Sequence, residues 1–182
     1  MPEITRSTSL QELAAIVSQT LERAGIIATL SGGSAVSIYS DNRYQSHDLD
    51  FVTSADPGRL GPVVATLGFV QTTSRRLYAH PQTDWLLEFP SGPLGFGHIT
   101  VDARQLETLR TPWGPLRVIT QTLCVMDRLA AFCHWRDRQC WAQALLVARS
   151  HPVDWPQLQA WAELEGLAPP AWERFYVEAR ST

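Results

Sequence analysis

The stretch from Ser31 to Thr53, SGGSAVSIYSDNRYQSHDLDFVT, constrains the fold of this chain more than any other. It follows the short apolar run IIATL (26–30), rich in strand formers, which stops at the turn signal Ser31-Gly32-Gly33. A run of small residues then predicts a helix from about Ser34 to Tyr39. After it, DLDFV (48–52) alternates polar and apolar residues, the period of a half-buried strand. Asp48 and Asp50 therefore project from one strand face, with Leu49 and Phe51 on the other. Any fold of this unit sets two like charges side by side soon after a glycine turn.

The pattern around the unit is α/β. Ser9 and Glu12 make a capping box for a helix in which Leu10, Leu13, Ile16, Val17 and Leu21 recur at helical spacing, with Gly25 to end it. Asp56 and Pro57 open a helix over roughly 57–67, and a strand is expected near 69–79. DWLLEF (84–89) reads as another strand, followed by the turn-rich PSGPLGFG and by short strands near 98–102 and 115–119. From Thr120 the pattern is helical through four segments, QTLCVMDRLAAFCHW, RQCWAQALLVARS, DWPQLQAWAELEG and PAWERFYVEAR. The expectation is an α/β core over 1–119 and a helical part over 120–182 packed on it as one structural unit.

At 182 residues, with 45% hydrophobic and 18% charged residues, the chain has the composition of a folded globular domain with a full core. Its formal charge is −3 and all 15 basic residues are arginine, so it lacks the overall basic footprint of a dedicated nucleic-acid binder. The start, MPEITRSTSLQELAAIV, carries Glu3 and Glu12 and no long apolar run, unlike a signal peptide or anchor. No stretch reaches the roughly 18 to 20 apolar residues of a spanning helix, and a cytoplasmic protein is expected. Cys124, Cys133 and Cys140 are odd in number and suit reduced core thiols; Cys133-His134 with Cys140 lacks the close paired spacing of structural zinc sites.

Two aspartates aimed alike repel, and a fold that keeps them usually neutralises them with a cation. Magnesium suits the donor set, because it takes oxygen ligands and is commonly shared between one or two carboxylates and substrate phosphates. Upstream, Gly32 and Gly33 let backbone approach a ligand, and the N–H groups of a helix beginning near Ser34 make an anion site. The stretch supplies a phosphate cradle first and metal ligands second.

Gly-Gly-Ser-Ala at 32–35 followed by Ser46-His47-Asp48-Leu49-Asp50-Phe51 resembles the glycine turn and paired-aspartate strand of the nucleotidyltransferase superfamily, whose larger relatives include DNA polymerase beta. It is most similar to the small bacterial members, some of which serve as toxins or antitoxins. The resemblance implies a nucleotidyltransferase-like fold, a small mixed sheet with flanking helices. It implies Mg2+ or Mn2+ as cofactor, an NTP as substrate, and a hydroxyl acceptor in RNA such as tRNA, a protein or a small molecule. A third carboxylate on a later strand completes the two-metal site of that superfamily. Asp84, Glu88 and Asp102 are the candidates, and Glu88 is preferred because it ends an apolar strand beside an open Pro-Ser-Gly turn. Asp48, Asp50 and Glu88 then hold the metals, while Gly32, Gly33 and Ser34 bind phosphates, with Ser31 or Ser34 offering the hydroxyl. In the helix after the core, Arg128 matches the position of a basic residue that faces the nucleotide. Trp141 and Gln143 stand where many relatives are acidic. The alternative reading is a weakly catalytic or non-catalytic nucleotide-binding module, such as one half of a toxin and antitoxin pair.

Other features read as structural. Arg75-Arg76 is taken as a solvated pair, and the seven tryptophans as helix-on-helix packing rather than base stacking.

Overall fold

Five strands form one mixed sheet in the computed structural model, which describes residues 3–106, 108–135 and 137–181. They are β1 (Thr29–Ser31), β2 (Asp48–Val52), β3 (Val70–Gln71), β4 (Leu77–His80) and β5 (Thr83–Glu88), in spatial order β1-β2-β5-β4-β3. β2 and β5 run parallel, and the other three pairings are antiparallel. The register sets Asp48 opposite Leu86, Asp50 opposite Glu88, and Glu88 opposite Leu77. Because side chains alternate along a strand, Asp48, Asp50 and Glu88 share one face. Leu49, Phe51 and Leu87, all 0% exposed, fill the core on the other.

Helix α1 (Leu10–Arg23) starts where Ser9 accepts the N–H of Glu12, and it buries Leu13, Val17 and Leu21. Each such side chain is worth about 1.5–3 kcal/mol of burial. Helix α2 (Gly32–Tyr39) is buried along its whole length, which explains its small residues: Ser34, Ala35, Val36 and Ser37 are all 0% exposed. Ser37 Oγ accepts the N–H of Ser46, which ties the loop before β2 to this helix. Helix α3 (Pro57–Ala65) is capped by Asp56, whose carboxylate accepts the N–H of Gly58.

Two expected strands differ in place. The first lies at Thr29–Ser31 rather than 26–30, because Ile26 donates its N–H to Leu21 O and still belongs to the exit turn of α1. The strand expected over 69–79 is a hairpin of β3 and β4, since Thr72 to Arg76 offers no apolar alternation and turns back, with Thr72 N–H on Leu77 O. Two small ladders follow, β6 (Gly95–Phe96) with β7 (Ile99–Thr100) and β8 (Leu109–Thr111) with β9 (Gly114–Leu116). The segment after β9 touches the sheet through a single parallel bridge of Val118 to Leu30.

The helical half comprises α4 (Gln121–Trp135), α5 (Arg138–Ser150), α6 (Trp155–Glu165) and α7 (Pro169–Arg180). Asp137 and Asp154 cap α5 and α6. Aromatic rings join α5, α6 and α7: Trp141 meets Phe175 edge-on at 5.4 Å between centroids, and Trp155 meets Tyr176 at 5.1 Å. One hydrophobic cluster runs from Ile4 to Ala179 and includes residues of both the sheet and these helices. α4 and α5 pack against α2, which brings their polar residues to the end of the sheet that carries the aspartates. Among the described residues, no helix is long and apolar enough to cross a membrane.

Candidate active site

One oxygen from each of Asp48, Asp50 and Glu88 lies within 4.8 Å of the other two. Adjacent parallel strands cause this, since β2 presents both aspartates and β5 presents Glu88 directly opposite Asp50. Ser46 Oγ donates to Asp48 Oδ1 at 2.9 Å and orients it. Burial, then the neighbouring charges of Asp48 and Glu88, push the Asp50 carboxyl up to about 7. An all-oxygen donor set in which burial and neighbouring like charges together raise one member this far fits a hard divalent cation such as Mg2+ or Mn2+. Of the three carboxylates considered on sequence, Glu88 joins the cluster. Asp84 sits exposed near the other end of β5, and Asp102 pairs with Arg104 at 2.8 Å.

The glycine turn packs directly against this cluster. Gly32 has φ +64°, and a Cβ there would lie 2.3 Å from Asp50 Oδ2, so both backbone and space demand glycine. Gly33 has no such φ; a Cβ there would meet Ser46 Oγ at 3.1 Å and the Tyr44 ring at 3.2 Å. Ser34 Oγ is occupied in the interior, donating to Ser31 O at 2.8 Å and accepting the N–H of Asp50 at 3.3 Å. What Ser34 presents to an anion is its backbone N–H, in the first turn of α2, where no intrahelical acceptor exists. Between the two hydroxyls left open by the sequence, that of Ser31 is the less committed, with one long contact of 3.5 Å to Asp50 O.

Arg128 reaches the same place from α4. Its Nη2 donates to Asp127 Oδ2 at 2.8 Å and its Nη1 to Gln143 Oε1 at 3.3 Å. Its Nε is buried and has no partner among the described residues. Asp127 Oδ2 also accepts the N–H of Gly32 at 3.0 Å, so this acidic residue links the basic one to the glycine turn. Sequence reasoning missed Asp127 and Tyr44, and it named Gln143 only as standing where many relatives are acidic. The neighbour position of Asp127 to Arg128 was the available signal, and the contact with Gly32 had none.

No protein-family model matches the chain, and no curated protein matches it in sequence. Solved structures do match its fold. An antigenic nucleotidyltransferase-like protein from Paracoccidioides brasiliensis superimposes with a TM-score of 0.63 at 16% identity, over 94% of either chain. The antibiotic-resistance factor ANT(2'')-Ia matches in solution with a TM-score of 0.57 at 15% identity, over 95% of this chain and 99% of that one. Its crystal structure in complex with adenylyl-2''-tobramycin gives 0.53 at 15% identity, over 93% and 99%. Identity this low establishes architecture alone, and that architecture, a small mixed sheet with flanking helices and a helical C-terminal part, is the nucleotidyltransferase-like fold.

Proposed function

We propose that this protein is a nucleotidyltransferase that uses Mg2+ or Mn2+ to move a nucleoside monophosphate from an NTP to a hydroxyl acceptor. The observation that carries the reading is the meeting of Asp48, Asp50 and Glu88 beside the N-terminus of α2. Metal ions bound there would polarise the α-phosphate and neutralise its charge. Asp48 and Asp50 would hold them, with Glu88 on the acceptor side and placed to take the hydroxyl proton. The N–H groups of Gly33 and Ser34 would receive the β- and γ-phosphates at the positive end of the helix dipole. Gly32 shapes the turn and spends its own N–H on Asp127. Arg128, held by Asp127 and Gln143, would neutralise charge developing on the leaving group.

In the transfer, the acceptor oxygen forms a bond to the α-phosphorus as the bond from that phosphorus to the bridging oxygen breaks. Pyrophosphate departs with that electron pair, and the acceptor proton passes to the Glu88 carboxylate. Positioning and electrostatics supply nearly all of the catalysis in such a step. The adenylylated tobramycin seen with ANT(2'')-Ia supports a small-molecule acceptor over RNA or a protein side chain.

The test is incubation with each α-labelled NTP, Mg2+ or Mn2+, and cell extract. Label should appear on an acceptor with release of pyrophosphate, and Asp48→Asn should abolish it. Absence of label with every NTP would overturn the enzyme reading in favour of a nucleotide-binding module, such as one half of a toxin and antitoxin pair.

A further inference from the structure

We infer that the groove on the Glu88 side of the site takes a small hydroxyl-bearing acceptor that also carries a phosphate or carboxylate, selected by Arg75 and Arg76; this rests on the nucleotidyltransferase reading of the same site. The groove has a volume of ≈ 490 Å³ and is lined by Asp56, Pro57, Ser74, Arg75, Arg76 and Glu88. That volume falls within the roughly 300–1,000 Å³ of small-molecule sites. Glu88 belongs at once to the carboxylate cluster and to the groove wall. A hydroxyl brought to Glu88 therefore leaves the rest of its molecule in the groove.

The wall opposite is the turn between β3 and β4. Arg76 is fixed by two neutral carbonyls, its Nη1 donating to Phe89 O at 3.0 Å and its Nη2 to Ala55 O at 3.3 Å. Those bonds set the guanidinium in place without compensating its charge. Neither Arg76 nor the exposed Arg75 forms an ion pair among the described residues. Asp56 is engaged in capping α3, with Oδ1 accepting the N–H of Gly58 at 2.7 Å. A divalent cation shared by Asp48, Asp50 and Glu88 offsets two of their three negative charges, so the two guanidinium groups of the groove face chiefly Asp56. A phosphate or carboxylate entering the groove meets two guanidinium groups that form no ion pair among the described residues, and guanidinium is well suited to both anions.

The test is calorimetric titration of the full chain, in Mg2+, with glycerol 3-phosphate, glycerate, glycerol and ethanolamine. Both anions should bind at least about tenfold more tightly than glycerol or ethanolamine, a difference of roughly 1.4 kcal/mol. Arg75→Glu should weaken both anions by about tenfold or more, with its melting temperature as the fold control and Arg75→Gln as the second variant should that temperature fall. Equal binding of the neutral or cationic compounds, or anion binding unchanged by both variants, overturns the inference. So does an RNA trinucleotide with a free 3′-hydroxyl that binds more tightly than either small anion. The melting shift with Mg2+ and ATP is read in parallel on the parent. Its absence alongside intact anion binding sinks the nucleotide reading, whereas its presence without anion binding sinks the groove alone.

Discussion

Gly32 and Asp127, 95 positions apart in the chain, are joined by a hydrogen bond from the glycine N–H to the carboxylate at 3.0 Å. A carboxylate on the first N–H of a helix is stabilised by the partial positive charge there. The same oxygen accepts from Arg128, so α4 is anchored to the glycine turn by a three-part contact of cation, anion and helix end. Through it, the helical half of the chain sets the geometry of the site on the sheet.

Asp127→Ala should lower stability by about 1–3 kcal/mol, because it strands the Arg128 guanidinium, whose side chain is only 14% exposed and whose Nε already lacks a partner. Urea unfolding measures the loss. Calorimetry on the same variant should show weaker binding of Mg2+ with ATP, because Arg128 is no longer held beside Gly32. Parent-like values in both measurements would reduce the contact to an incidental one.

The two glycines should respond differently to a methyl group. Gly32→Ala forces an L side chain into positive φ and drives Cβ to 2.3 Å from Asp50 Oδ2, so a loss of about 1–3 kcal/mol and a displaced Asp50 carboxylate are expected. Gly33→Ala meets only tight contacts of 3.1–3.2 Å with Ser46 and Tyr44, offset by the better helix propensity of alanine. It should change stability by less than about 1 kcal/mol and keep Mn2+ binding, read by electron paramagnetic resonance. Equal losses in the two variants would contradict the assignment of the constraint to Gly32.

The local parts of the site are legible in the sequence because they obey short-range rules. Alternation in DLDFV puts Asp48 and Asp50 on one face, and the apolar run before Glu88 marks a strand that ends in the open. The rest depends on contacts between distant segments. Nothing in residues 83–88 says that β5 lies parallel to β2, leaving β3 and β4 beyond it. The hairpin at 70–80 looks like one strand until its turn is seen, and for that reason Arg75 and Arg76 read as solvated residues rather than as the wall of a groove with Glu88. Asp127 has the same obscurity, since its meaning lies in Gly32.

Glu165, at the end of α6, offers a pH test away from the site. Its carboxylate is fully buried, accepts the backbone N–H of His98 at 2.9 Å, contacts His98 Nδ1 at 2.8 Å and meets His134 Nε2 with its other oxygen. Burial pushes this carboxyl up, but the bonds from His98 and His134 outweigh it and hold it below its ordinary value of 4.5. A depressed folded value contributes stability above pH 4.5 that is lost as pH falls further. Glu165→Gln should therefore cost about 1–3 kcal/mol at pH 7, and the deficit should shrink in acid. A deficit that is constant from pH 7 to pH 3 would remove ionisation from the explanation.

Asp50→Asn tests the pair of aspartates itself. Asp50 is raised from 3.8 to about 7, so between those values the folded protein binds a proton that the unfolded chain has released. Metal-free stability must then fall as pH rises across that window, and it does not recover above it. Asn keeps the shape and removes the titration. Without metal, the variant should match the parent near pH 4, where both side chains are neutral, and exceed it at pH 8. Added Mg2+ should reverse the order at pH 8, because the cation relieves the mutual repulsion of Asp48, Asp50 and Glu88 in the parent and finds a weaker site in the variant. For the same reason the Mg2+ affinity of the parent should rise from pH 5 to about 7, as the ion displaces the proton on Asp50. Urea unfolding at pH 4, 6 and 8, with and without Mg2+, reads all three effects. A variant less stable than the parent at pH 8 without metal, and still stabilised by Mg2+ to the parent's extent, would show that these carboxylates serve the fold rather than a metal.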